Sequence, residues 1–485
     1  MSNSPDRPDE PEDSGLPPEL EQVLRGLTGG RDLDPQMVEM MRGMGLDQVD
    51  PQMLQMVAGQ VQQMFAGSGD DTGSVDLTVA TDMARRTASA DADPVVAEAD
   101  SAAVRSAVDV AGLWLDAVTD LDHSGLVGRA WSRAEWVEAT MPVWRELVDP
   151  IAVGVSAAMD AALTKQLGAL GEQGLPEGMV PPGMNPAAMM GQMAPMLRRM
   201  QGSMFSVQLG QAVGTLSGEI LTGDEVSLPL VSAPDVVLMP AAVAQFADGL
   251  DIDLPQARLL LAVRETARTR LFHAVPWIGP QLLTAVQDYA RDTSIDTDAI
   301  EEGLRTIDPS DPEAMQQALS GRLFAPQQSP AQKAALARLE TLLALVEGWV
   351  DVVTAAAVKQ HLPQAEALGE AVRRRRASGG PAEKTFAALV GLELRPRRLR
   401  DAANLFAALE SAGGAELRDG AWAHPDVAPD ASDLDDVLGY VERVRARSTD
   451  GDDLDAELDA LLRGEPGDDA ARGDEGRPGD GPTPA

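Results

Sequence analysis

Arg264-Glu265-Thr266-Ala267-Arg268 sets two arginines four residues apart inside an apolar run from Leu260 to Phe272. On a helix that turns about 100° per residue, with Arg264 at zero, Leu260, Val263, Ala267 and Leu271 fall on one side of it. Leu261 and Phe272 fall on the other. Arg268 lies about 40° away, so both guanidinium groups sit in the middle of the apolar arc. Arginines on a solvated face would instead stand near Thr266 or Arg270. His273 projects almost opposite Arg264 and reads as a surface histidine near a helix end, before Pro276.

Buried arginines need carboxylate partners, because desolvation costs several kcal/mol per ion. A second helix offers them. It begins at Ser329 and Pro330, a capping residue followed by proline at the first helical position, and carries Glu340, Leu343, Ala344, Glu347, Val350, Asp351 and Thr354 on one face. Acids that merely line the rim of an ordinary helix are the alternative. Charges of opposite sign interrupting two apolar faces favour pairing.

The spacing of the first stretch is that of a His-Glu-x-x-His helix, with arginine at both histidine positions. In that motif two imidazoles one turn apart hold zinc, and the glutamate is general base to the metal-bound water. The context is more specific than the motif. Gln208 to Ser217 (QLGQAVGTLS), Arg264 to Trp277 (RETARTRLFHAVPW), Glu347 to Asp351 (EGWVD) and Arg373 to Arg400 (RRRRASGGPAEKTFAALVGLELRPRRLR) together resemble the actinobacterial zincin-like metallopeptidase family, whose members are labelled zinc-dependent metalloproteases or hydrolases. Ala130 to Thr140 (AWSRAEWVEAT) and Arg418 to Asp426 (RDGAWAHPD) extend the resemblance over roughly residues 75 to 440.

The resemblance implies a mainly α fold with a very small β element, of the zincin-like, gluzincin type. It also implies a site with Glu265 at the general-base position and the metal-ligand positions at Arg264, Arg268 and Glu347, with Asp351 one turn further on. Arginine stays protonated and cannot ligate zinc. The chain has no cysteine to supply a thiolate instead. Without zinc, water facing Glu265 keeps a pKa of about 15.7 rather than about 7, so Glu265 is expected to be idle and hydrolysis by the family mechanism is disfavoured. The expected site is a network of Arg264, Glu265, Arg268, Glu347 and Asp351.

The net charge of −38, from 77 acidic and 39 basic residues, opposes contact with nucleic acid or anionic membrane. The lack of cysteine fits a reducing compartment, the polar start does not read as a secretory signal, and no run approaches the roughly 18 apolar residues of a membrane span. A cytoplasmic protein is expected. Residues 1–74 read as a disordered N-terminus containing a Met-rich amphipathic segment (35–64), 75–445 as the zincin-like helical domain, and 446–485 as a disordered acidic tail.

Within the domain, Trp114, Trp131, Trp136 and Trp144 read as core anchors. Met189, Met193, Met196, Met200 and Met204 form one helix face, read as core filler rather than a binding groove. That helix continues through Leu216, where Gly210, Ala212 and Gly214 permit close helix contact. Glu225 to Leu230 and Asp235 to Met239 are the strand candidates. Arg373 to Arg376, with Arg395, Arg397, Arg398 and Arg400, form a basic island. No aromatic residues interleave it, so pairing with acidic neighbours is favoured over a phosphate or nucleic-acid site.

Three functions follow from these readings. The favoured one is a catalytically inactive pseudopeptidase acting in binding or regulation, with no cofactor and a protein or peptide partner of unknown identity. The second is an active zinc-dependent hydrolase using Glu265, Glu347 and ligands not evident in the sequence. The third is a non-zinc enzyme whose arginine pair binds an anionic substrate.

Overall fold

The computed structural model describes residues 75–122, 125–173, 186–232, 234–291, 329–377, 385, 389 and 398–447, with only the backbone at 155–173, 186–199, 201, 290–291 and 377. They all belong to one unit, Gly73–Ala485. The expected N-terminal segment, the Met-rich stretch and the tail from 448 lie outside the described residues, as do Arg395 and Arg397.

Helix α1 (Leu77–Ala88) starts where the Asp76 carboxylate accepts from the amides of Thr78 and Val79. It is followed by α2 (Glu98–Asp116), strand β1 (Val127–Ala130), α3 (Arg133–Gln173), α4 (Pro186–Ser217) and strand β2 (Asp235–Leu238). Helices α5 (Pro240–Gly249), α6 (Leu254–Ala274), α7 (Ile278–Arg291), α8 (Pro330–Val358), α9 (Ala365–Ala377), α10 (Leu399–Gly420) and α11 (Ala431–Asp435) complete the order. Among the described residues the fold is helical, with two short parallel strands paired from Val127 with Asp235 to Ala130 with Leu238.

The expected close helix contact is that of α4 with α1. A Cβ on Gly210 would stand 2.4 Å from the Ala80 carbonyl oxygen, and one on Gly214 2.6 Å from that of Ala84. Real side chains cannot approach so closely, so both positions require glycine. Helix α8 opens on the expected Ser329 cap, completed by Gln332 as a capping box, and packs against α6, α7 and α10. By length and composition part of α8 is apolar enough to cross a membrane, contrary to the sequence reading; most of that stretch is buried inside the fold.

Three further readings are corrected. Between Leu260 and Leu271 helix α6 has no solvated face, since every residue there is buried. Arg270, expected on the wet side, is fully buried; its NH2 donates to the Gly112 carbonyl at 2.9 Å and to Asp116 at 2.8 Å. It reaches a carbonyl near the C-terminal end of α2, where a cation is favoured by the helix dipole. Met200 and Met204 are 59% and 74% exposed, so these two do not fill the core; the side chains of Met189, Met193 and Met196 lie outside the described set. Glu225 to Leu230 is no strand, whereas Val127–Ala130, unpredicted, is one. Its VGRA sequence is too short to show a period of two. Trp136 and Trp144 are fully buried as expected, while Trp114 is partly buried and stacks on His361 at a centroid distance of 4.5 Å.

Candidate functional site

Arg264 and Arg268, one turn apart on α6, both face α8. Arg264 donates through NH2 to Glu347 Oε2 at 2.9 Å and through NH1 to Asp351 Oδ1 at 2.7 Å. Arg268 reaches Glu347 Oε1 with Nε at 3.1 Å and NH2 at 2.9 Å, and its NH1 bonds back to Glu265. Arg264, Glu265, Arg268 and Glu347 are at most 6% exposed, and the Asp351 side chain is half-buried. All five residues singled out from the sequence therefore meet in one network. The pairing reading of the two helices is the one the geometry supports.

The irregular segment 218–232 closes one side of this network. Thr222 Oγ1 donates to Glu265 Oε2 at 2.8 Å, and the Asp224 amide donates to Glu265 Oε1 at 2.6 Å. Between them Gly223 lets the backbone pass: a Cβ there would lie 2.7 Å from Val231 and 2.9 Å from Val237. The Gly223 carbonyl accepts from Trp136 Nε1 at 2.9 Å. Ser227, with a φ of 64°, directs its hydroxyl to Glu347 Oε1. Backbone strain of this kind persists where surrounding contacts over-determine the conformation.

Asp224 is fully enclosed. Burial pushes its carboxyl up to about 8, the Glu265 charge adds to the rise, and the amides of Val231 and Leu230 oppose it. These amides donate to Asp224 Oδ1 at 2.9 Å and 2.8 Å. Burial thus favours the neutral form of Asp224 well above the usual carboxylate range. Burial also pulls the Arg264 guanidinium below its usual range, against the pull of Asp351.

Helix α9 covers the remaining side with the arginines of the basic island. Arg373 pairs with Asp351 at 3.4 Å and Glu370 at 3.2 Å, Arg374 with Glu370 at 3.1 Å, and Arg375 with Glu225 at 3.2 Å. Arg376 pairs with Glu347. Burial, then the charges of Arg268 and Arg264, hold Arg376 well below the ordinary arginine range. Around Glu347 three guanidiniums, of Arg264, Arg268 and Arg376, face three carboxylates, of Glu265, Glu347 and Asp351.

Sequence reasoning missed Thr222, Asp224, Ser227 and Arg376 as members of the site. Only Arg376 carried a signal, through the expected pairing of the basic island with acids. The others lie on an irregular segment whose path no periodicity reveals. Arg398 pairs with Asp401 at 3.4 Å and with Asp435, away from this network. His273, His361 and His424 are exposed. Among the described residues no group of three or more His, Cys, Asp or Glu side chains is placed to hold a metal ion.

Fold and site together define a mainly helical scaffold whose α6 and α8 meet in a buried arginine–carboxylate network. The family model for zincin-like metallopeptidases matches residues 75–441, and the chain belongs to that family. The crystal structure of a "putative hydrolase with a novel fold" from Chloroflexus aurantiacus is similar to it with a TM-score of 0.51 and 16% identity, over 76% of this chain and 99% of that one. At this identity the likeness concerns the fold. No curated protein matches the sequence.

Proposed function

We propose that this family member is a pseudopeptidase, in which an arginine–carboxylate network takes the place of a zinc centre and the scaffold serves binding or regulation. The observation that carries this reading is the engagement of Glu347, at the family's third-ligand position, by Arg264, Arg268 and Arg376 together. The residues present do not fit zinc. Arginine has no lone pair to offer a metal, both oxygens of Glu347 are held by guanidinium donors, and cysteine is absent. Glu265 is likewise bound on both oxygens, by Thr222, the Asp224 amide and Arg268, which leaves it poorly placed to take a proton from water. The anion-binding alternative is weakened by the same contacts, because the chain's own carboxylates already occupy both arginines.

Metal stoichiometry of protein purified without chelator or histidine tag tests the proposal. The expected result is no stoichiometric zinc and no peptidase activity that depends on Glu265. One equivalent of tightly held zinc, with hydrolysis abolished by Glu265→Gln, would overturn it.

A further inference from the structure

The last turn of α9 is held as a ligand is held. Among the residues of α9 whose burial is described, 365–376, Leu368 and Val372 are buried and Ala365 is partly buried, so few apolar contacts anchor the helix. Its final arginines supply specific contacts instead. Arg375 Nε donates to Glu225 Oε1 at 3.2 Å, and its NH2 reaches the Glu219 carbonyl. Arg376 NH2 donates to the Glu225 carbonyl at 2.6 Å and to Ser227 Oγ at 3.2 Å, while its NH1 pairs with Glu347. These two side chains are 29% and 14% exposed, against 79% for their neighbour Arg374.

The acceptors come from two separate elements, the 218–232 segment and α8. Two carboxylates, two carbonyls and a hydroxyl arranged around adjacent guanidiniums suit the flat, multi-donor fork of arginine better than the point charge of lysine. Glu225 is oriented independently of α9, because its Oε2 accepts from the Leu221 amide. An acceptor held in place before its partner arrives binds with less ordering cost.

We propose that this acceptor set is a binding subsite for an Arg-Arg segment of a partner peptide, and that Arg375 and Arg376 fill it as an internal pseudo-ligand. The inference rests on the binding role proposed above and names the partner's chemistry. The net charge of −38 draws a basic partner toward the molecule. Displacing α9 from the subsite sacrifices the burial of Leu368 and Val372 and the Arg373–Asp351 pair, while an external dibasic segment would replace the contacts of Arg375 and Arg376 without unfolding the helices beneath.

The test is fluorescence anisotropy with a labelled Ala-Ala-Arg-Arg-Ala-Ala peptide and its Lys-Lys counterpart. Removing the internal competitor in Arg375→Ala/Arg376→Ala should tighten Arg-Arg binding about tenfold or more over the unaltered chain, with a smaller gain for Lys-Lys. Adding Glu225→Gln should abolish the gain. No gain, equal gains for the two peptides, or a gain that survives Glu225→Gln overturns the proposal. If the double variant does not fold, hydrogen exchange on the unaltered chain decides: excess Arg-Arg peptide should accelerate amide exchange across residues 366–377, and unchanged exchange there overturns the proposal. Zinc measured on the same preparations keeps the two readings separate, since zinc-loaded, active protein defeats the pseudopeptidase reading without touching the peptide result.

Discussion

Arg268 grips a single oxygen of Glu347 with two nitrogens, Nε at 3.1 Å and NH2 at 2.9 Å, while its third nitrogen turns back to Glu265 on its own helix. One guanidinium thereby ties Glu265 on α6 to Glu347 on α8. Charges this deep are tolerable only while each retains its partners.

Loss of one member should therefore be severe. Glu347→Ala leaves Arg264, Arg268 and Arg376 without their shared acceptor, and removal of one side of a buried pair typically costs about 3–5 kcal/mol. Glu98→Ala removes only a surface partner of Arg105, with side chains 83% and 50% exposed, and should change stability by at most about 1 kcal/mol. Denaturant unfolding of the two variants measures the contrast; equal, small losses would show that the network carries no stability.

Restoring the motif should reveal the metal chemistry of the scaffold. Arg264→His/Arg268→His supplies two imidazoles one turn apart beside Glu347, a donor set that suits zinc. Since Arg376 also pairs with Glu347, zinc should bind more tightly once Arg376→Ala is added. Calorimetric titration with zinc checks both steps. Affinity that is indifferent to a further Glu347→Gln change would rule out the expected third ligand.

Asp224 should give the stability a distinctive pH dependence. Its carboxyl is raised from 3.8 to about 8 in the folded chain, so between these values the folded state holds a proton that the unfolded state has released. Stability from this group is fully present below the lower value and is lost as pH rises through the upper one. Asp224→Asn keeps an oxygen for the Leu230 and Val231 amides and has no proton to lose. Its stability relative to the unaltered chain should improve steadily from about pH 4 to about pH 8 and level off above that. A difference that stays constant across thermal melts in that range would contradict the assignment.

Gly348, next to Glu347, sets the distance between α8 and α10. A Cβ there would come within 2.7 Å of Ala402 and of the Ala403 amide nitrogen. Backbone cannot move aside as a flexible side chain can, so Gly348→Ala should cost about 1–3 kcal/mol, the usual penalty of overpacking. Chemical denaturation measures it, and a neutral outcome would mean that α10 shifts freely against α8.

The pairing of α6 with α8 was legible because both helices break their apolar faces with charge of opposite sign, Arg264 and Arg268 against Glu347 and Asp351. The Ser329 cap was legible because capping is local chemistry. Met200 and Met204 show the limit of such patterns. Spacing places them on a common face, but only the neighbours packed around that face determine whether it is covered. Arg270 shows the opposite error, for a polar position on a helical wheel reads as wet until α2 is known to lie against it.

The sequence by itself determined the charged interruption of two apolar helix faces and the resemblance that the family model bears out, since these depend on local periodicity and on which residue types stand at fixed spacing. Tertiary structure alone decided which further groups close over the site. Thr222, Asp224 and Ser227 arrive on a segment without regular hydrogen-bonding period, and Arg376 arrives on a helix more than a hundred residues beyond the motif. Their roles depend on distances between elements remote in the chain, and such distances follow from packing of the whole core around α6 rather than from any local run of residues.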